Sequence, residues 1–242
     1  MVDQPDSTVT SFADDSTPPV RGLLHRPRTP SGDALVLAHG AGSNCRAPLL
    51  ASVAAAFAEA GFTVLRCDLP YRQKRPHGPP FPGEAAQDRE GLRNAVSALR
   101  KLGPDGSFRR IFLGGHSYGG RQATMLAAED PGMASGLMLL SYPLHPPLRP
   151  AQLRTAHFPS LRALSFFVQG TRDPFGSLEE MAAALKLIPA RTSLWPLEGA
   201  GHDLGLGRKA ARPSAADGVA RRIVEAFCLC CKDEPSGGSP TP

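Results

Sequence analysis

The sequence predicts an α/β fold in which helices cover both faces of a mostly parallel central sheet. Short runs of β-branched and apolar residues alternate with helix-compatible segments between residues 20 and 228. This alternation indicates a parallel sheet, because each strand-to-strand crossover then requires a covering helix. The chain has 242 residues, 41% of them hydrophobic, which suffices for a substantial buried core. It contains no run of about 18 apolar residues, the length that a membrane-spanning helix needs.

Seven short runs have the composition of strands, and the first of them is expected at the sheet edge. They cover residues 20–26, 34–38, 62–67, 111–114, 136–141, 163–169 and 192–197. Five longer segments predict helices: 47–60, which Gly61 closes, 84–102, 121–129, 178–187 and 214–228. In the segment 84–102, Leu92, Val96 and Leu99 recur at helical spacing and place charged residues on the opposite face.

The remaining stretches predict irregular structure. Residues 1–19 are rich in Ser, Thr, Asp and Pro, which is typical of a disordered segment. Prolines and glycines between residues 70 and 83 predict an irregular surface loop. Residues 232–242 predict a flexible tail, so that residues 20–231 form one domain.

Ser117 lies in the most informative motif, a Gly-x-Ser-x-Gly at residues 115–119 between an apolar run and a helical segment. A serine in this strand–turn–helix context sits at the tip of a tight turn that lifts its hydroxyl clear of the sheet. Glycines at positions 115 and 119 allow neighbouring backbone to pass without a Cβ clash. The alternative interpretation is a glycine-rich connection with an incidental serine, because this motif alone is common by chance.

Asp173 and His202 occupy the positions where a serine nucleophile would find its partners. Such a serine needs a base to take its proton and an acid to orient that base, each on a loop that follows a later strand. Asp173 follows the predicted strand 163–169, and His202 follows the predicted strand 192–197. The order Ser117, Asp173, His202 therefore predicts a Ser-His-Asp triad, which is more specific than any of the three residues alone.

The turn that follows the strand 34–38 predicts an oxyanion-binding amide. His39, Gly40, Ala41 and Gly42 form this glycine-flanked turn. We expect the backbone N–H of Ala41 to be one donor to a developing oxyanion and that of Tyr118, next after Ser117, to be the other. His39 is expected to be a structural residue that hydrogen-bonds a loop.

These motifs together resemble the α/β-hydrolase superfamily over residues 20–230. Three stretches, 39–42, 68–72 and 114–121, resemble a smaller, uncapped, dienelactone-hydrolase-like branch that includes testis-expressed protein 30 and subunit 3 of the NSL acetyltransferase complex. The elbow departs from many relatives of that branch, since His116 and Tyr118 stand where arginine and methionine are expected. The resemblance implies an α/β-hydrolase fold and serine hydrolase chemistry, but the branch also includes members with a scaffolding role.

The connection between the strands 136–141 and 163–169 limits the size of any cap. In the superfamily that this chain resembles, the cap usually enters here. The segment 142–160 has only 19 residues, five of them proline, and can build at most a short lid. An open site of this kind suits small acyl groups better than long lipids. We expect Tyr71, Tyr118 and Gly40 to line the acyl pocket, although core packing would explain the tyrosines nearly as well.

Composition argues against several partners. The net charge is +5, but the arginines are scattered among acidic neighbours such as Asp88, and no aromatic-interleaved basic platform predicts nucleic-acid binding. The cluster Arg72, Lys74 and Arg75 near the site is expected to be an exposed loop rather than an anion trap. Five cysteines, an odd number, favour reduced thiols and a cytoplasmic location, as does the polar N-terminus. The cluster at 228–231 lacks zinc-ligand spacing, and no motif requires a metal or other cofactor.

The predicted function is therefore hydrolysis of a small ester, thioester or related acyl compound, with no nucleic-acid or membrane partner. The alternative is a non-catalytic protein-binding module on a hydrolase scaffold, which would have a protein partner instead of a substrate. The occupied triad and oxyanion positions speak against that alternative, because a decayed enzyme is expected to have lost at least one of them. A peptidase is disfavoured, because no large gating domain accompanies the catalytic motifs.

Overall fold

A central sheet of eight strands organises the molecule. The computed structural model describes residues 7–103, 106–207 and 213–232. The strands are β1 (Ser7–Asp14), β2 (Val20–Pro27), β3 (Asp33–Ala38), β4 (Thr63–Cys67), β5 (Arg110–His116), β6 (Gly136–Leu140), β7 (Leu164–Gly170) and β8 (Thr192–Leu197). Their order across the sheet is β1-β2-β4-β3-β5-β6-β7-β8. From β4 to β8 neighbouring strands are parallel, whereas β2 pairs antiparallel with both β1 and β4.

Helices cover both faces of the sheet, which confirms the predicted α/β class. They are α1 (Pro48–Glu59), α2 (Pro70–Lys74), α3 (Ala85–Arg100), α4 (Tyr118–Glu129), α5 (Leu178–Leu185) and α6 (Pro213–Lys232). One core layer contains Leu92 of α3, Leu126 of α4 and Met181 of α5. The other contains Phe57 of α1 and Phe227 of α6, whose rings lie 5.3 Å apart. Every residue of β3, β4, β6 and β7 is buried, as expected for parallel strands with both faces covered.

Local chemistry starts and ends several of these elements. Pro48 stands at the first turn of α1, where its missing N–H costs no helical hydrogen bond. Ser177 and Glu180 form a reciprocal capping box at the start of α5. Asp33, buried at the start of β3, pairs with Arg110 at the start of β5 (Oδ2 to Nη2 2.6 Å).

The prediction of disorder across residues 1–19 is wrong for residues 7–14. These residues form β1, which pairs with β2 along its whole length. Because ladder hydrogen bonds come from the backbone, a polar and mostly exposed strand can still complete a sheet. For the same reason β2 is an interior strand and not the predicted edge. Residues 1–6 of the predicted disordered segment, and 233–242 of the predicted tail, lie outside the described residues.

The segment 70–83 also differs from the prediction, since it begins with the short helix α2. Arg72 of this helix is buried, whereas an exposed loop was expected. Its guanidinium donates to four backbone carbonyls, those of Ser43 (2.6 Å), Gly78 (2.7 Å), Arg75 (3.0 Å) and Ala41 (3.2 Å). Arg72 therefore ties α2 to the turn after β3.

The carboxyl ends of the parallel strands form one open edge. The connection between β6 and β7 crosses this edge with one short 3-10 turn, Phe158–Ser160, and builds no helical cap. The edge is where sites form in open α/β sheets, because successive strand ends and their loops meet there. Among the described residues, no helix is both long and apolar enough to cross a membrane.

Candidate active site

Ser117 lies at the sharp junction between β5 and α4. Its backbone has φ 50° and ψ −114°, a strained conformation for a residue with a side chain. The strain is held by its neighbours, since Ser117 N–H donates to Leu140 O (2.9 Å) and Ser117 O accepts from Arg121 N–H (2.9 Å). The turn therefore presents the hydroxyl at the carboxyl edge of the sheet.

Two glycines make this junction possible. A Cβ on Gly115, whose φ is 156°, would lie 2.3 Å from Ala38 O. A Cβ on Gly119 would lie 2.7 Å from the carbonyl oxygens of both Ala38 and His39. Because backbone atoms cannot yield as a flexible side chain can, only glycine allows the elbow to approach the end of β3 this closely.

The structure brings Ser117, Asp173 and His202 into one hydrogen-bonded row. His202 Nε2 lies 2.9 Å from Ser117 Oγ, and His202 Nδ1 lies 2.9 Å from Asp173 Oδ2. The Asp173 side chain is fully buried and also accepts from the Phe175 N–H (2.9 Å), whereas the His202 side chain remains 24% exposed. A carboxylate that accepts from Nδ1–H leaves Nε2 free to accept the serine proton.

Two aromatic side chains that the sequence did not indicate flank His202. His116 donates from Nε2 to His202 O (2.8 Å), and its ring centroid lies 4.9 Å from that of His202. The Phe175 ring also packs against the His202 imidazole, with 4.2 Å between the ring centroids and an angle of 32° between the ring planes. Burial, with a smaller contribution from His202, lowers the pKa of His116 to about 4. His116 is therefore neutral near pH 7, and the residue beside the nucleophile adds no charge.

The turn after β3 lies directly beside the elbow. A Cβ on Gly40 would lie 2.9 Å from His116 Nδ1 and 3.5 Å from Ser117 Cβ, so that only a hydrogen fits there. Gly40 O accepts from the Ser43 N–H (3.0 Å) and from His39 Nδ1 (2.9 Å). In a trans peptide the C=O and N–H point in opposite directions, so these bonds also orient the Ala41 N–H. Within the described residues neither Ala41 N–H nor Tyr118 N–H donates to a protein acceptor.

His39 has the structural role expected of it. Its ring is fully buried, Nδ1 donates to Gly40 O, and Nε2 accepts from the Leu69 N–H (3.1 Å). Burial lowers the pKa of this histidine, which keeps the imidazole neutral. The ring therefore joins the turn after β3 to the end of β4.

Tyr71 supports this turn and does not line the open site. The side chain is 1% exposed, and its hydroxyl donates to Ala41 O (2.7 Å), with Gly40 O also within 3.3 Å. Burial raises its pKa to about 12, so the hydroxyl remains a donor. A buried ring cannot contact a substrate unless it moves, and the expectation of an acyl contact at Tyr71 is corrected accordingly.

Asp88 of α3, which the sequence placed among the acidic neighbours of scattered arginines, is a buried carboxylate. It accepts from the Tyr118 hydroxyl (2.8 Å) and the Tyr71 N–H (3.1 Å), and burial raises its pKa despite these bonds. Asp88 thus connects the two tyrosines that flank the predicted oxyanion amides. A sequence signal for it existed, because Asp88 stands four residues before Leu92 on the apolar face of α3.

His116 and Phe175 carried no such signal. The partner of His116 is a carbonyl 86 positions later in the chain, and sequence spacing does not predict that contact. Phe175 stands two residues after Asp173, but only the fold places its ring on His202.

This geometry can transfer a proton from a serine hydroxyl to an imidazole that a buried carboxylate orients. The sequence model of a family described as "Alpha/beta hydrolase domain" matches residues 31–227. The chain belongs to the α/β-hydrolase family.

Solved structures share the fold of this α/β-hydrolase at low sequence identity. A dienelactone hydrolase from Anabaena variabilis is 21% identical, with 93% of this chain and 98% of that chain covered and a TM-score of 0.68. An esterase from Pyrococcus furiosus is 15% identical, with 92% and 91% covered and a TM-score of 0.71. A serine hydrolase without a lid from Xanthomonas campestris is 15% identical, with 93% and 96% covered and a TM-score of 0.62.

This α/β-hydrolase has no candidate metal centre among the residues that the structure describes. No group of three or more His, Cys, Asp or Glu side chains there is arranged to hold a metal ion.

Proposed function

We propose that the protein is a serine hydrolase that transfers the acyl group of a small ester, thioester or related compound to water. The observation that carries the proposal is the hydrogen-bonded row Ser117–His202–Asp173 at the carboxyl edge of the sheet. Each of its three members follows the end of a different parallel strand, β5, β7 or β8. This is the arrangement from which acyl transfer by an activated serine is built.

In the proposed mechanism Ser117 Oγ attacks the substrate carbonyl carbon while His202 Nε2 takes the hydroxyl proton. Asp173 keeps the Nδ1–H tautomer and stabilises the imidazolium that forms. His202 then returns the proton to the leaving group as the carbon–oxygen or carbon–sulfur bond breaks, which leaves an acyl ester on Ser117. A water molecule, deprotonated by His202, attacks that ester, and His202 returns the proton to Ser117 Oγ as the acyl bond breaks and the acid is released.

The backbone N–H groups of Ala41 and Tyr118 are the proposed oxyanion donors. Tyr118 directly follows Ser117, Gly40 next to Ala41 lies against the Ser117 side chain, and neither N–H donates to another described group. Tyr118 is the first residue of α4, so its amide has no intrahelical acceptor and carries the positive end of the helix dipole. Amides held in place before the reaction stabilise the tetrahedral intermediate without reorganisation.

The open edge of the sheet supports a small substrate. In the described residues the connection between β6 and β7 builds no helical cap over the edge, and the similar folds include an esterase and a dienelactone hydrolase. We also propose that the chain belongs to the branch of testis-expressed protein 30 and NSL complex subunit 3, on the three sequence stretches that resemble it. A cytoplasmic location is part of the same proposal.

Labelling with a fluorescent fluorophosphonate tests whether Ser117 is activated. We expect the native protein to be labelled, and Ser117→Ala and His202→Ala to lose labelling and several orders of magnitude of esterase turnover. Ser97→Ala, on the exposed face of α3, is the control and should label like the native protein. A folded native protein that takes no label would refute the hydrolase proposal and support the protein-binding module instead.

A further inference from the structure

Arg121 is a cationic side chain near Ser117 that the proposed mechanism does not use. It stands four residues after Ser117, one turn into α4. Helical side chains lean towards the N-terminus of their helix, which here is the end that carries Ser117. Among the described residues, the Arg121 guanidinium has no hydrogen-bond or ion-pair partner, and its Nε is buried without an acceptor.

The connection between β6 and β7 packs against this part of α4. Thr124 Oγ1 donates to Arg121 O (2.8 Å) and accepts from His157 Nε2 (2.8 Å). The Tyr142 hydroxyl donates to Arg154 O (2.7 Å), which anchors Arg154 to the strand end after β6. A second guanidinium, that of Arg154, is therefore held in the same region, where it donates only to Pro143 O (3.3 Å) within the described part of the chain.

The electrostatics of this region are those of uncompensated positive charge. Burial, and next the charge of Arg121, lower the pKa of Arg154. Burial, and next Arg121 and Arg89, lower the pKa of His157 to about 4. In both groups the positive charge of Arg121 disfavours the protonated form.

The neighbouring carboxylates are already engaged elsewhere. Arg89 is paired with Glu129 (2.9 Å), and Asp88 accepts from the Tyr118 hydroxyl (2.8 Å). No acidic side chain in the described residues pairs with Arg121 or Arg154. Two half-buried guanidinium groups without a carboxylate are costly unless an anion from outside neutralises them.

We propose that Arg121 and Arg154 form an anion-binding subsite beside Ser117, and that the acyl substrate carries a carboxylate or phosphate group bound there. The substrate class rests on the proposed hydrolase function, whereas the anion site itself does not. Guanidinium groups suit this role because their planar N–H forks match the oxygens of either anion and remain charged at all physiological pH values. Through Arg154, the short connection between β6 and β7 would then contribute to substrate selection as well as form one wall of the site.

A binding experiment tests the subsite without any turnover. Ser117→Ala protein would be titrated with glutarate, with inorganic phosphate and with neutral glutaramide by isothermal calorimetry. We expect an anion to bind more tightly than glutaramide, and the Arg121→Gln or Arg154→Gln change to weaken it roughly ten- to a hundred-fold. Arg149→Gln, which removes the same charge from an exposed position of the same connection, should leave binding unchanged. Equal anion binding in all variants, or none in any, would overturn the subsite.

A kinetic experiment tests the substrate class. The para-nitrophenyl esters of hydrogen glutarate, of methyl glutarate and of phosphonobutyrate differ in the charge and type of their distal group. We expect kcat/KM to favour a charged ester, and Arg121→Gln to reduce that preference roughly ten- to a hundred-fold, mainly through KM. Arg121→Lys, which retains the charge but not the fork, should retain part of it.

The outcomes separate the two proposals. Turnover of the neutral ester without preference for either charged ester would overturn the subsite and leave the hydrolase proposal intact. Anion binding that depends on Arg121 in a protein that takes no fluorophosphonate label would refute the hydrolase proposal and support the anion site. The carboxylate and phosphonate esters distinguish the two sources of negative charge.

Discussion

At the scale of single residues, the hydroxyl of Tyr71 shows how a buried side chain can affect a reaction that it does not contact. It donates to Ala41 O (2.7 Å) and lies 3.3 Å from Gly40 O. Gly40 O belongs to the peptide whose N–H is a proposed oxyanion donor, and Ala41 O belongs to the next peptide, so the hydroxyl holds the backbone on both sides of Ala41. Arg72 supports the same turn through its bonds to Ala41 O and Ser43 O.

Tyr71→Phe is expected to reduce kcat for a small neutral ester about ten-fold with little change in KM, because a misdirected amide affects the transition state more than the bound substrate. The lost hydrogen bond should also reduce the free energy of unfolding by about 1 kcal/mol. Steady-state kinetics and urea denaturation measure the two effects. A loss of stability with unchanged kcat would show that the hydroxyl serves folding alone.

At the scale of elements, the distance between α4 and β3 decides where Ser117 is presented. Gly119 is the point of closest approach, where a Cβ would lie 2.7 Å from backbone atoms of Ala38 and His39. Neither partner can give way without shifting β3, a fully buried strand. The glycine in this position is therefore required by packing between two elements.

Gly119→Ala is expected to lower the free energy of unfolding by about 1–3 kcal/mol, the usual cost of overpacking a dense interior. Gly218→Ala is the matched control, because Gly218 lies in α6 with open space around its Cβ position. That substitution should stabilise the protein by up to about 1 kcal/mol through helix propensity. Urea denaturation should show that the free energy of unfolding decreases in Gly119→Ala and increases in Gly218→Ala. A change of the same sign in both variants would contradict this account.

At the scale of the whole molecule, buried histidines connect stability to pH. Burial lowers the pKa of His25, His116 and His157 to about 4, compared with an ordinary value of 6.5. The unfolded chain therefore binds more protons than the folded protein between these values. Their contribution to stability is fully present above about pH 6.5 and is lost as the pH falls towards 4.

We expect the free energy of unfolding to decrease from about pH 6.5 towards pH 4, with at most about 1.4 kcal/mol per pH unit for each of these histidines. Urea denaturation across that range measures the slope. His25→Gln should reduce the slope of the free energy of unfolding against pH by at most the contribution of one bound proton. His77→Gln, at an exposed position, should leave the slope unchanged. If His25→Gln has the same slope as the native protein, His25 does not contribute to the pH dependence of stability.

Several features of the molecule could be predicted because their signals are local in sequence. Apolar runs that alternate with helical segments predicted the α/β class, which the structure confirms. The glycines around Ser117 predicted a sharp turn, and the chain order of Ser117, Asp173 and His202 predicted that the three would meet. The structure brings them together because each follows a parallel strand, and parallel strands end at one edge.

Other features depend on contacts between distant parts of the chain. The polar residues 7–14 form a strand because β2 offers an unpaired edge, and Arg72 is buried because four carbonyls surround it. His116 meets a carbonyl 86 residues away. Sequence by itself determined which residues could do chemistry and in what order they follow strands. Only the tertiary structure decided which polar groups find partners and which, like Arg121, do not, because hydrogen bonds and charge pairs depend on distance in space.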